Sequence, residues 1–128
     1  MGARWIKISV LYLIVGIAFG LFMHYAVDLR WGATHAHINV VGWLSTGLMG
    51  VIYSVYPRAG NSGLGILHFW TYNIGLPFLL FGMGYIQINP GLLMEITVSG
   101  GGILVAIGVL VFAANIYTNI HSTTDTQR

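Results

Sequence analysis

The fold of this chain is decided by the stretch "HAHINVVGWLSTGLMGVIYSVY", residues 35 to 56, which contains no Asp, Glu, Lys or Arg. An apolar run of about 20 residues is long enough to cross the hydrocarbon core of a bilayer as an α-helix. Two histidines, His35 and His37, stand one residue apart at its start. The stretch therefore predicts a membrane-spanning helix that carries two imidazoles at one edge of the membrane.

The whole chain, like this stretch, is rich in hydrophobic residues and poor in charged ones. Of its 128 residues, 56% are hydrophobic and only 6% are charged, whereas soluble domains carry about 25% charged residues. We therefore expect a lipid membrane to surround the protein. The formal net charge of +2, without a basic stripe, gives no reason to expect a nucleic-acid partner. The chain has no cysteine, which excludes disulfides, thiolate metal sites and a cysteine nucleophile.

Four apolar segments predict a single all-α domain, residues 1–128, with four transmembrane helices. The spans are placed at residues 6–26, 35–56, 65–86 and 92–117. Short joints of polar and turn-forming residues separate them, so consecutive helices are expected to form an antiparallel bundle. Thr34 is predicted to cap the start of the second helix, and Pro77 is predicted to kink the third.

Small residues recur along the spans, as in the pair Gly16 and Gly20 and in "SGGG" at residues 99–102. Such residues let helix backbones approach closely. From the sequence alone, these positions are compatible with packing inside the chain and with contacts between subunits.

The distribution of basic residues predicts the orientation in the membrane, because cytoplasmic loops carry an excess of Lys and Arg. With both termini in the cytoplasm, Arg30 is the only basic residue on the outer side, opposite Arg4, Lys7, Arg58 and Arg128. We expect an integral protein of a prokaryotic cytoplasmic membrane.

The spacing of the histidine pair limits what it can bind. Successive residues of an α-helix are about 100° apart, so residues i and i+2 lie about 200° apart on nearly opposite faces. Chelation from one helix uses residues three or four apart, so His35 and His37 should serve two separate pockets at the same membrane depth. Ionisable residues inside membranes mark functional sites by default. The alternative is that both imidazoles simply lie in the headgroup layer.

The remaining polar residues give weaker signals. His24 ends the first span on the same side as the pair, and we expect a structural hydrogen bond for it more than metal ligation. His68 opens the third span at the opposite face, and His121 lies in the polar tail, where it should be solvated. The spans contain no paired carboxylates, Ser/His/Asp set or phosphate-binding loop, so hydrolysis and nucleotide chemistry lack the residues they need.

Two segments carry a resemblance to a known family. "THAHINVVGWLSTGLMGVIYSVYPR", residues 34–58, resembles the tenth transmembrane helix of the heme-copper oxidase superfamily catalytic subunit, nearest the nitric oxide reductase branch. "HFWTYNIGLPFLLFG", residues 68–82, is similar to the next helix of that subunit. The resemblance implies that His35 and His37 are axial ligands of two different hemes and that Gly42 lets a porphyrin lie close to the helix.

The chain also departs from that family. The family subunit has twelve helices, and the helices that supply its non-heme metal ligands and its separate low-spin heme ligand have no counterpart here. Three copies of four helices would restore twelve. A homotrimer could hold one bis-histidine heme b at each interface, between His35 of one chain and His37 of the next. Arg30 is then the first candidate to bind the heme propionates, with Trp31 and His24 as weaker ones, although Arg30 could equally be an interface anchor.

Three classes of function follow from this interpretation. The first is a heme-b-binding membrane protein that transfers electrons to an unknown redox partner. The second is an enzyme that reduces oxygen or nitric oxide, which needs an open axial position or a second metal. The third is a copper- or heme-handling or sensing accessory protein, since three imidazoles could meet around one copper ion on a threefold axis. The chain lacks C-x-x-C-H, so covalent c-type heme attachment is excluded.

Overall fold

The computed structural model describes residues 1–120, and all regular structure in this part of the chain is helical. The helices are α1 (Gly2–Ala26), α2 (Gly32–Val55), the single turn α3 (Pro57–Gly60), α4 (Gly63–Tyr85) and α5 (Leu92–Asn119). Four of them, α1, α2, α4 and α5, are long and apolar enough to cross a membrane. The prediction of an all-α chain with four helices that could span a membrane is confirmed.

The ends of the helices differ from the predicted spans. Helix α1 begins at Gly2, four residues before the predicted span, and includes Arg4, because a helix continues through the polar membrane interface where hydropathy no longer marks it. The predicted cap at Thr34 is wrong. Helix α2 already begins at Gly32, after Trp31, and places Thr34 in its first turn, where the side chain is buried.

The outer surface of the protein is apolar, as a lipid solvent requires. Large hydrophobic side chains on all four spans are exposed, among them Leu11, Leu48, Phe81 and Leu110. Exposed apolar surface on this scale is unusual for a soluble monomer. The exposure therefore agrees with the membrane character inferred from composition.

Glycines set the close approach of α1 to α2. A Cβ atom added at Gly2 would collide with Ser54, and one at Gly20 would lie 2.8 Å from His35 Cε1. Gly16 similarly makes room for the Asn39 side chain. The small residues of α1 therefore serve packing inside the chain. The start of α1 lies beside the end of α2, and Gly20 of α1 lies beside His35.

A second close contact joins α4 to α5. A Cβ atom at Gly101 would collide with the backbone of Leu79 and lie 2.8 Å from the Gly75 carbonyl oxygen. Of the neighbouring glycines, Gly100 meets no atom within 4 Å and Gly102 meets only the end of the Leu79 side chain. The run of glycines in α5 is thus explained at Gly101, where two helix backbones touch.

Helix α2 is interrupted by a π-helical segment, Ile38–Ser45, that begins directly after His37. Side-chain hydroxyls bond to carbonyl oxygens within it: Ser45 Oγ donates to Val40 over 2.8 Å, and Tyr72 of α4 donates to Val41 over 2.9 Å. Hydropathy carries no information on hydrogen-bond register, so the sequence did not predict this segment. The histidine pair itself lies in the α-helical part, Gly32–His37.

Candidate functional site

His37 lies half-buried at the start of α2, and its tautomer follows from its hydrogen bond. Its Nδ1 atom lies 2.8 Å from the carbonyl oxygen of Ala33. A carbonyl oxygen can only accept, so Nδ1 carries the proton and the neutral ring keeps a lone pair on Nε2. The exposed side chains of Val40, Leu44 and Leu48 follow along the helix. In its neutral form, His37 therefore offers Nε2 as a ligand nitrogen near the outer surface of the subunit.

His35 lies between α1 and α2. Its ring sits against Gly20, and the ring of Phe19 is centred 6.5 Å from it. The amide nitrogen of Asn39 is 3.4 Å from both ring nitrogens, which is too long for a strong hydrogen bond. The two imidazoles thus have different surroundings: one lies against α1, and the other lies on a surface that α1 does not cover. The different surroundings agree with the angular argument, and the two separate pockets stay a prediction.

Gly42 has a different neighbour from the one the resemblance implied. A Cβ atom at this position would lie 2.8 Å from Cγ of Tyr12, a residue of α1 in the same chain. The space beside Gly42 is therefore filled by an aromatic ring of the protein itself. Within the chain, Gly42 thus permits the contact between α1 and α2, and its assignment as a porphyrin-packing residue stays a prediction.

Arg30 lies in the loop between α1 and α2 and is paired with Asp28. Its Nε atom is 2.7 Å from Asp28 Oδ2, and its guanidinium lies 5.2 Å from the centre of the Trp31 ring. The Arg30 backbone N–H, and then its side chain, hold the pKa of Asp28 below its usual range. A guanidinium carries five N–H donors, so one ion pair does not saturate it. Both interpretations of Arg30 stay open.

Trp31 and His24, the two weaker candidates to bind the heme propionates, differ in their contacts. The Trp31 Nε1 atom donates to the Gly84 carbonyl oxygen over 2.9 Å, which joins the start of α2 to the end of α4. His24 is exposed, and its ring lies edge-on to Tyr25 with centroids 5.3 Å apart. Within residues 1–120 the structure gives His24 no side-chain hydrogen bond, so the expected structural bond is not formed there. His121 and Arg128 lie outside the described residues.

An apolar cavity of about 550 Å³ lies between α1, α2 and α4 at the histidine end of the bundle. Trp31, Thr34 and Pro77 are part of its wall, and the other walls include aromatic rings of α1 and α4. Neither His35 nor His37 lines it. A group bound by the histidines would therefore lie outside this cavity, against the surface of the subunit.

A buried polar cluster at the opposite end of the bundle was missed by the sequence analysis. The His68 ring has no exposed surface, and its Nδ1 atom lies 2.8 Å from the hydroxyl oxygen of Tyr53. Asn115 donates to that hydroxyl over 3.1 Å and to the carbonyl oxygen of Ala59 over 3.0 Å. The ring of Trp5 is centred 4.6 Å from that of His68. The cluster joins α1, α2, α4 and α5.

One signal in the sequence could have found this cluster. Asn115 is a strongly polar residue inside the apolar segment "LVFAANIY", residues 110–117, and such residues in membrane spans face the protein interior and pair with other polar groups.

In the part of the chain that is described, no group of three or more His, Cys, Asp or Glu side chains stands close enough to hold a metal ion.

Comparison of the chain with protein-family models, with curated proteins and with solved structures found no match. The resemblance to the oxidase subunit therefore stays a prediction from the quoted residues. The function has to be argued from the two histidines and the surfaces on which they lie.

Proposed function

We propose that this protein is a heme-b protein of a prokaryotic cytoplasmic membrane that transfers electrons, with both termini in the cytoplasm. The observation that carries the proposal is the hydrogen bond from His37 Nδ1 to the Ala33 carbonyl oxygen. Histidines that bind metals almost always donate their other ring N–H to a carbonyl or carboxylate, which fixes the tautomer and makes the ligand nitrogen more basic. His37 has this second partner in place, with Nε2 left as the ligand atom.

His35 has the complementary features of a second axial ligand. Its ring nitrogens meet only the long contact with Asn39, at 3.4 Å, so a lone pair is available. Gly20 provides the space that the ring occupies. An imidazole without a strong hydrogen bond in an apolar setting gains from binding a metal, because an unpaired polar group away from water costs free energy.

The pairing is proposed to take place between chains. His35 lies against α1 and His37 does not, so the two rings of one chain are poorly placed to bind the same iron. In a homotrimer of antiparallel four-helix units, His35 of one chain would face His37 of the next. Closed cyclic symmetry satisfies such head-to-tail contacts without leaving open ends. The trimer would hold one heme per chain.

The residues of the chain would each have a defined part. His35 and His37 would hold the heme iron, and the exposed guanidinium of Arg30 could donate to the propionates. The apolar exterior of the spans would keep water from the porphyrin. When bound, heme would supply one-electron redox chemistry.

The test is an optical and paramagnetic resonance spectrum of the protein purified in detergent from heme-replete cells. We expect a six-coordinate low-spin heme b, about one per chain. His35→Ala and His37→Ala should each lose the Soret band, because every heme would lose one axial bond. His24→Ala is the matched control, since it removes an exposed imidazole from the same end of the bundle, and it should keep full absorbance.

Three results would contradict the proposal. Full Soret absorbance in both single variants would show that the ligand assignment is wrong. A rapid spectral change with carbon monoxide would favour an enzyme with an open axial position. Copper in elemental analysis, without a porphyrin spectrum, would favour an accessory protein that handles copper.

A further inference from the structure

The π-helical segment Ile38–Ser45 begins at the residue after His37. Runs of π-helix are rare and occur frequently at functional sites. In this segment backbone carbonyls bond to N–H groups five residues on, so the helix is wider there than in the α-helical turns on either side. The width of this segment therefore affects how the turn Gly32–His37, which carries both histidines, is rotated relative to the rest of α2.

The carbonyl of Val41 is the point where the segment is tied to another helix. Tyr72 of α4 donates its hydroxyl to this oxygen over 2.9 Å, and Thr46 Oγ1 donates to it over 3.2 Å. Both donors are almost fully buried: Tyr72 is 1% exposed, and Thr46 has no exposed surface. One carbonyl oxygen thus accepts two side-chain hydroxyls in the interior of the bundle.

These two bonds stabilise the wide turn for a physical reason. In an α-helix the Val41 carbonyl would accept the N–H of Ser45, and in a π-helix it accepts the N–H five residues on instead. A carbonyl oxygen has two lone pairs, and no water is present in the membrane interior to bind the second one. The Tyr72 hydroxyl binds it, and a ring anchored on α4 can hold the wide turn in a fixed place. This ring also contacts the Trp5 ring at a centroid distance of 5.6 Å.

We infer that Tyr72 is a positioning residue for the histidine pair, an inference whose heme readout rests on the proposed function. Its hydroxyl holds the π segment in place and thereby sets the rotation of the turn Gly32–His37. Conversion of the segment to α-helix would rotate this turn about the helix axis. His35 would leave its place against Gly20, and His37 would leave the uncovered surface.

The first experiment tests this without heme, by solid-state NMR of protein labelled with 1-¹³C valine, ¹⁵N glycine and ring-¹⁵N histidine. The chain contains two Val–Gly pairs, Val15–Gly16 and Val41–Gly42, so the first is an internal reference for the second. In Tyr72→Phe we expect the Val41 carbonyl resonance to shift and the Val15 resonance to stay. The ¹⁵N imidazole resonances of His35 and His37 should shift with Val41.

The matched control is Tyr117→Phe, which removes a tyrosine hydroxyl on the exposed surface of α5. Tyr117 is 88% exposed, so Tyr117→Phe should leave every one of these resonances unchanged. A Val41 shift in Tyr72→Phe without any change at the histidines would overturn the inference, because the hydroxyl would then have only a local effect. Unchanged Val41 and histidine resonances would overturn it as well.

The second experiment reads the heme itself. Tyr72→Phe should change the highest g value of the low-spin signal and weaken heme retention about tenfold, the lower end of the effect of groups that orient metal ligands. Thr46→Val removes the other hydroxyl from the same carbonyl and should act in the same direction if Tyr72→Phe fails to fold. Wild-type g values and retention in the folded variants would overturn the inference. A wild-type protein without heme would refute the proposed function, while the NMR experiment still decides the role of Tyr72.

Discussion

Replacement of Gly20 by alanine is the perturbation whose effect can be worked most directly from the structure. The added methyl carbon would lie 2.8 Å from His35 Cε1, and ordinary van der Waals contact begins at 3.4 Å. The His35 ring therefore has to move by about 0.6 Å, the difference between these two distances. Phe19 and Asn39 flank the ring, so it cannot move without disturbing its neighbours.

The expected result is a protein that folds but binds heme less tightly. Disturbing groups that orient a metal ligand costs about 10- to 100-fold in affinity, and we expect a loss in this range for Gly20→Ala. Helix stability should not suffer, because alanine has the higher helix propensity. The assay is a titration of heme into the apoprotein in detergent, with helix content followed by circular dichroism.

Gly100→Ala is the matched control. It makes the same chemical change inside a transmembrane helix, at a position where the added methyl group meets no atom within 4 Å. It should bind heme as the wild type does. If Gly20→Ala and Gly100→Ala bind heme equally well, the position of the His35 ring has no bearing on heme binding, and the assignment of His35 as a ligand is refuted.

Three further predictions concern other parts of the molecule. Asn115→Leu removes hydrogen bonds to Tyr53, Ala59, Ser62 and Asn119. At about 0.6 kcal/mol per bond in a membrane protein, it should lower the free energy of unfolding in detergent by roughly 2 kcal/mol, whereas Asn119→Leu should cost less. Gly101→Ala places a methyl group against the Leu79 backbone and should destabilise the contact of α4 with α5 by about 1–3 kcal/mol, seen as a lower melting temperature than for Gly100→Ala. Arg30→Gln removes a positive charge beside the proposed propionates and should lower the heme midpoint potential, measured by redox titration; an unchanged potential would show that Arg30 is an interface anchor.

The four spans could be predicted from sequence because apolar length alone decides whether a helix can cross a bilayer. Their ends could not, since α1 continues through Arg4 into a region that hydropathy scores as polar. The π segment also escaped prediction. Its apolar residues are as compatible with an α-helix as with a π-helix, and the hydroxyl of Tyr72 that bonds to it comes from another helix.

The candidate site was predictable only in part for a related reason. The different surroundings of His35 and His37 follow from the pitch of a single helix, so the sequence was sufficient to predict that the two rings face different sides of α2. The neighbour of Gly42 depends on how α1 is rotated against α2, and helices that are apolar on every side do not reveal that rotation. The cluster of His68, Tyr53 and Asn115 depends in the same way on three helices meeting at one point.

The central claim is that His37 of one chain and His35 of the next bind the same heme iron. It is tested most directly by mixing His35→Ala and His37→Ala chains, each of which should be free of heme when purified alone. In a mixed trimer the unaltered His35 of one chain can meet the unaltered His37 of its neighbour, so the account predicts that co-expression restores part of the low-spin Soret band. Absorbance that stays at zero in assembled mixed oligomers, or a heme-loaded wild-type monomer by native mass spectrometry, would contradict it.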